Sequence, residues 1–324
     1  SRALDEGRPV YAFPTPWRYV LGAARNSLAI MFVPLVLILG WSELLDLLMM
    51  RIAWPTEPDL LASETVRAAA PAVARLAGSV VIFALVPPVM TRVWDTTPIP
   101  AGELRLDLER LARAHEIRLR RFLIWRTGGA MLNGAVIGLV PWLRYIVLTD
   151  ALLENLTEPE VEAVAAHEVA HVRKHHMVWL ALAVLGSALF VGEGAAFVFV
   201  RLGWPEPLVA WSSAGVSLVA VVLALGVVSR RFEWQADAFA ARHLSEHPSE
   251  YGVADGITED TPNGTITESG ARAMSSALAR VARLNGMPEK RFTWRHGSIR
   301  TRRRRLAALV GTKADRLSID RRVR

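Results

Sequence analysis

Cysteine is absent from the 324 residues, so disulfide staples and thiolate metal sites are excluded. Any bound metal must be held by His, Asp or Glu. Lysine is nearly absent as well. Lys174, Lys290 and Lys313 are the only three, so the formal net charge of +7 is carried almost wholly by arginine. No internal repeat is found, and no low-complexity block beyond the arginine run 302–305. Aromatics do not interleave with the basic run from Arg300 to Arg305 and no recognition module is visible, so no nucleic-acid partner is expected. The pattern of a secretory signal is also missing. The chain opens on Ser1, not methionine, which leaves an upstream start as an expectation. What is abundant is apolar: 52% of residues are hydrophobic, and the mean hydropathy is +0.26. A soluble domain rarely reaches that average, so membrane segments are expected. Positive charge on such a chain suits an anionic leaflet surface.

Four stretches are apolar enough to span a bilayer. They run from Ser27 to Met50, Leu76 to Thr91, Met177 to Val200 and Leu208 to Val228. The second is short and holds Pro87 and Pro88. The connection 92–126 and everything after Ser229 are dense in arginine, whereas the turn between the third and fourth spans carries only Arg201. The positive-inside rule then puts both termini and the segment 92–176 on the cytoplasmic side. Between the second and third spans, "IRLRRFLIWRTGGAMLNGAVIGLVPWLRYIVLTDALLENL" predicts two or three strands, with a turn at Gly128-Gly129. A helix follows at "TEPEVEAVAAHEVAH", with Thr157 as N-cap, Pro159 in the first turn and Glu160 completing a capping box. Residues 251–268 read as a surface loop and "ARAMSSALARVARLNG" as a helix.

His167 and His171 stand four apart, so a helix projects both from one face, within reach of one tetrahedral metal. Glu168 is rotated by ~100° and can reach a water at that metal without being a ligand. A hydrolytic zinc site needs a third protein ligand and an open position. "SRRFEWQADAFAAR" supplies Glu233, with Asp237 one turn later as a carboxylate able to orient a ligand histidine. The third and fourth spans form a hairpin. His171 precedes it by ~9 Å of helix and Glu233 follows within ~10 Å, so both emerge at one membrane surface. His175 and His176 read as interfacial, and His115, His243 and His247 as surface residues. Glu193, near the far interface, reads as solvated.

HEVAH, two spans and then SRRFEWQAD resemble the integral-membrane zinc metallopeptidases of the HtpX and CAAX-prenyl-protease type, whose pattern is HExxH followed by SRxxExxAD. "LNGAVIG" at 132–138 resembles the family's Asn-Ala strand, with Gly134 intervening. "RHGSIRTR" at 295–302 resembles its HPxxxxR motif, with Gly297 in place of proline. The resemblance covers roughly 95–310. It implies His167, His171 and Glu233 as ligands of one zinc ion and Glu168 as the base. It further implies that Asn133 lines the substrate groove and that His296 and Arg302 lie near the site. His296 is then a candidate electrophile at the oxyanion and Arg302 a candidate substrate-binding residue.

The expected fold is a mainly α integral membrane protein with about four transmembrane helices and a cytoplasmic zincin-like α+β metalloprotease domain holding a small β-sheet. The expected divisions are 1–26, an N-terminal cytoplasmic segment; 27–94, two spans; 95–176, the first protease part; 177–228, a transmembrane hairpin; and 229–324, the second protease part. The expected activity is zinc-dependent endoproteolysis of membrane or membrane-associated proteins. Its expected place is the bacterial inner (cytoplasmic) membrane, with the site facing the cytoplasm. Two alternatives remain: a catalytically silent scaffold, and a narrow processing enzyme.

Overall fold

The computed structural model describes residues 16–51, 64–247 and 264–313. Most of the loop expected at 251–268, and the first fifteen residues, lie outside these. The elements in chain order are α1 (Pro16–Met49), α2 (Glu64–Val93), β1 (Thr96–Pro98), α3 (Glu103–Ala114), β2 (Arg121–Trp125), β3 (Gly134–Ile137), β4 (Tyr145–Thr149) and α4 (Asp150–Asn155). They continue with α5 (Glu158–Arg173), α6 (His176–Gly186), a π turn at Ser187–Val191, α7 (Gly192–Arg201), α8 (Glu206–Glu246), α9 (Glu268–Leu284) and α10 (Ile299–Leu309). The chain divides into two units. The first runs to Pro100 and adds Arg118–Met131 and Ile137–Ala151; the second holds Ala101–Ile117, Leu132–Val136 and everything from Leu152.

In the first unit α1 and α2 form an apolar hairpin. Gly78 leaves room for the Trp41 ring, whose Nε1 donates to the Ala74 carbonyl at 3.3 Å. Arg75 pairs with Asp46 near one end of the hairpin. α2 runs on through Pro71, Pro87 and Pro88, as a bilayer-spanning helix tolerates. β1 pairs antiparallel with β2, and β2 pairs parallel with β4, so the sheet is mixed. Its core is Ala29, Met90, Trp94, Leu123, Trp125, Tyr145 and Val147, with Trp94 and Trp125 stacked at 4.2 Å. β1 was not expected: Pro98 and Pro100 argue against a central strand, but an edge strand tolerates proline. Gly128 and Gly129 make the expected turn with φ of 63° and 81°.

The second unit is built on α5 crossing α8. The two helices pack together, and Ala163, Ala166 and Ala170 of α5 and Ala236 and Ala240 of α8 are all fully buried. Small side chains let the two backbones approach closely. α9 lies across both, and Gly270 is required there: a Cβ would come within 2.5 Å of the Ala241 carbonyl. α5 begins as expected, with Thr157 as N-cap and Glu160 Oε2 accepting from the Thr157 N–H at 3.0 Å. Ser276 and Arg280 of α9 also bind the Glu160 carboxylate, at 2.7 and 3.3 Å.

Among the described residues, four helical stretches are long and apolar enough to cross a membrane: Phe32–Met49, Ala69–Val93, His176–Arg201 and Glu206–Glu246. Their large apolar side chains, among them Val36, Leu76, Phe190 and Trp211, face outward, as hydrocarbon solvent requires. Two boundaries differ from the reading above. α1 starts at Pro16, inside the segment expected to precede the first span. α8 passes without a break from the fourth span through Glu233, because no Pro or Gly interrupts its sequence after Gly226. The third span contains the π turn, where Ser217 Oγ of α8 bonds the Ala188 carbonyl at 3.0 Å. Glu193 follows it and is exposed.

Candidate metal centre

The centre forms where α5 and α8 cross. One ligand atom each from His167, His171 and Glu233 lie within 4.8 Å of one another. The Nε2 atoms of His167 and His171 are 3.2 Å apart. Glu233 Oε2 is 3.6 Å from His167 Nε2, and Oε1 is 3.9 Å from His171 Nε2. A tetrahedral ion with bonds of about 2.0–2.2 Å holds its ligand atoms roughly 3.3–3.6 Å apart, so the donor set has the chemistry and nearly the spacing of a zinc site.

Each donor is held by a second residue. Asp237, one turn beyond Glu233, places Oδ1 3.0 Å from His167 Nδ1, which turns the Nε2 lone pair of His167 toward the centre. Arg302 of α10 forks onto Asp237 at 2.6 and 2.7 Å, while its Nη1 lies 2.9 Å from Glu233 Oε2. The sequence reading puts Arg302 with substrate; its guanidinium is instead buried and directed at these two carboxylates. The reason is positional: Arg302 and Leu306 share the inward face of α10, while Arg304 and Arg305 face out. Burial alone would lower the Arg302 pKa, but the charges of Asp237 and Glu233 outweigh it and hold the guanidinium protonated, its pKa raised.

His176 is the residue that sequence reasoning set aside and the fold does not. His175 takes a left-handed conformation (φ 54°) that breaks the helix after α5, and His176 turns back beneath His171. It is 3% exposed, stacks on Phe232 at 4.2 Å, and places Nδ1 3.0 Å from His171 Nδ1 and Nε2 3.0 Å from Gln235 Oε1. One proton arrangement satisfies all three groups. Gln235 accepts from His176 Nε2–H, and His176 Nδ1 accepts from His171 Nδ1–H. The lone pair of His171 Nε2 then faces the centre. No helical spacing signals this, since residues five apart do not share a face. His243, expected at the surface, is also buried, between Glu162 at 3.1 Å and His115 at 3.0 Å.

Glu168 receives the Val136 backbone N–H at 3.2 Å. Burial, reinforced by the nearby Glu233 charge, raises its pKa above the ordinary carboxylate value. Burial, with His167 beside it, pushes His171 down to about 3, so the ring is neutral and able to ligate. Burial alone would lower His167 too, but Asp237 and Glu233 outweigh it and the pKa is raised. Asn133 is exposed and immediately precedes β3. His296 is half-exposed, with Nδ1 2.9 Å from Glu233 Oε1. It is delivered by a tight turn in which Gly297 (φ 74°) donates its N–H to the Thr293 carbonyl at 2.9 Å. Proline can supply neither that φ nor that N–H, which accounts for glycine at this position.

Comparison with known proteins agrees with this geometry. Residues 98–257 match peptidase family M48. The chain is 28% identical over 166 residues to the probable CAAX prenyl protease 1 of Schizosaccharomyces pombe, covering 47% of this chain and 35% of that one. It is 29% identical over 154 residues to the protease HtpX homolog of Campylobacter hominis, covering 46% and 54%. It thus spans between a third and just over half the length of these relatives. The crystal structure of S. mikatae Ste24p superposes with a TM-score of 0.55 at 20% identity, over 90% of this chain and 66% of that one, and so shares the fold. The matched region contains both HEVAH and SRRFEWQAD, so the part of the chain that carries the candidate centre is similar to peptidase family M48.

Proposed function

We propose that the protein is a membrane-embedded zinc endopeptidase that hydrolyses peptide bonds of membrane or membrane-associated proteins. The observation that carries this is the triad of donor atoms from His167, His171 and Glu233, with Glu168 adjacent. One zinc ion held by these three residues supplies Lewis-acid polarisation of the scissile carbonyl and lowers the pKa of water. Glu168 takes the proton of the attacking water on its carboxylate and returns it to the leaving amine. Its burial-raised pKa suits both transfers. Asp237 and His176 hold the two imidazoles in their ligating tautomers, and Arg302 fixes the Glu233 and Asp237 carboxylates. His296 donates to the developing oxyanion. Asn133 and the start of β3 bind extended substrate by strand addition, next to the Val136 N–H that orients Glu168.

The arginine distribution supports a cytoplasmic site in an inner membrane. The same reading divides the chain at 1–26, 27–94, 95–176, 177–228 and 229–324, with the two protease parts completing one centre. A narrower processing role has its support in the relatives named CAAX prenyl proteases.

The test compares wild type with Glu168→Gln in detergent, measuring bound zinc and cleavage of unfolded casein. One zinc per chain in both, with cleavage by wild type alone and a drop of about 10²–10⁴-fold in the variant, is the expected result. Absence of zinc from wild type overturns the reading.

A further inference from the structure

We propose that the turn from Lys290 to His296 docks on anionic lipid headgroups, and that this seating sets His296 at the metal centre. The catalytic half rests on the proposed function; the docking half does not.

The turn is closed by the Thr293 and Gly297 backbones, which exchange hydrogen bonds at 3.1 and 2.9 Å, with Thr293 Oγ1 adding a third at 2.9 Å. Its tip is therefore a rigid unit of Trp294, Arg295 and His296. That unit lies along one face of α8, at Gly226, Arg230 and Glu233, which are four and three residues apart. The Trp294 ring covers Gly226 so closely that a Cβ there would come within 2.5 Å of it. Arg230 Nη1 donates to the Trp294 carbonyl at 2.9 Å. Its guanidinium sits 5.5 Å from the Phe292 ring and 5.7 Å from the Trp294 ring. His296 then reaches Glu233.

The contact falls at a defined depth. Gly226 belongs to the apolar part of α8, where Leu223 and Val227 face outward, and Arg230 and Arg231 end that part. The turn thus meets the helix where hydrocarbon gives way to headgroups. Its composition fits that layer and no other. Phe292 is 62% and Trp294 43% exposed, a poor arrangement in water but the one found at membrane interfaces. Around them Lys290, Arg291, Arg295, Arg300 and Arg231 are all exposed cations. Glu289, which precedes Lys290 in sequence, is already paired with Arg303 at 2.8 Å, and Glu233 with Arg302 at 2.9 Å. Aromatic rings at the hydrocarbon edge under a cluster of cations point to lipid phosphate as the occupant, not an acidic protein or a nucleic acid. Because Trp294 and His296 are two residues apart in one closed turn, whatever fixes the depth of the first fixes the second.

The chain lacks cysteine, so Phe292→Cys gives a single thiol for a spin label in the full-length protein. The labelled protein is placed in nanodiscs of phosphatidylcholine alone or with phosphatidylglycerol. The expected result is a label more accessible to lipid-soluble oxygen than to an aqueous nickel chelate, and more so with phosphatidylglycerol. A label exposed to the chelate in both lipids overturns the docking. Equal burial in both overturns its preference for anionic lipid. In the second arm, phosphatidylglycerol is expected to stimulate casein cleavage by wild type several-fold, and Arg291→Gln with Arg295→Gln to abolish that stimulation while keeping the rate in neutral lipid. Stimulation unchanged in the double variant overturns the coupling to His296. If wild type cleaves no casein in any lipid, the proteolytic reading and with it the coupling fail, while the label still decides the docking.

Discussion

Replacing His176 by Phe isolates what the histidine chain beneath the centre contributes. The substitution keeps an aromatic ring against Phe232, where the ring centroids lie 4.2 Å apart and the planes 4° from parallel, so packing changes little. It removes both ring nitrogens, and with them the 3.0 Å contacts to His171 and Gln235. Each such bond contributes a net of about 0.5–1.5 kcal/mol, so the pair is worth roughly 1–3 kcal/mol. Loss of an outer hydrogen-bond partner from a ligand histidine costs about 10–100-fold in metal affinity, or about 1.4–2.8 kcal/mol, which agrees. The assay is zinc competition against a chelator of known affinity on purified protein near pH 7.5, with thermal unfolding of the metal-free protein alongside. Gln235→Leu should weaken zinc in the same direction, and Gln235→Glu, which keeps an acceptor at the same reach, should restore it. A His176→Phe protein whose zinc affinity lies within twofold of wild type refutes the account.

Two further outcomes follow from buried charges. Arg302→Leu leaves the Asp237 and Glu233 carboxylates buried without their cation, and stability should fall by about 3–5 kcal/mol. An Asp237→Asn, Arg302→Leu double variant should recover part of that loss in thermal unfolding. Glu160 titrates outside the centre. Burial alone would raise its pKa, but bonds from Ser276, the Thr157 backbone and Arg280 outweigh it, and the group stays charged below its ordinary value of 4.5. Its contribution to stability is therefore complete above about pH 4.5 and lost as pH falls through the lower folded value. Glu160→Gln should flatten that part of the unfolding profile; an unchanged acid limb would contradict the assignment.

The clustering of the candidate metal-binding residues was legible because their constraint is largely local and periodic. The four-residue spacing on a capped helix follows from helix geometry, the two-span hairpin returns Glu233 to the same surface, and the resemblance of SRRFEWQAD to SRxxExxAD implies it as the third ligand. The spans were legible in number but not in extent. Hydropathy marks where hydrocarbon begins, whereas a helix ends only where its sequence supplies a cap or a breaker, and neither separates the fourth span from Glu233. His176 was hidden because its place depends on one left-handed residue, His175, which no periodic pattern announces. The resemblance set Arg302 near the site but not its partners: in a run of four arginines only the register with Leu306 tells that this one points inward, at the carboxylates. β1 was lost to its prolines, which exclude a central strand and permit an edge.

α8 is a single rod of 41 residues, about 60 Å long and about twice the thickness of the hydrocarbon layer it crosses. Glu233 stands on it about 10 Å beyond Gly226. The rod is therefore a lever arm: a tilt of roughly 5° about the bilayer edge carries the Glu233 carboxylate by about 1 Å relative to α5. A displacement of that size is enough to change a catalytic rate by about 10²-fold. A change in lipid thickness, which a spanning helix accommodates in part by tilting, is therefore expected to reach the spacing of the three donor atoms.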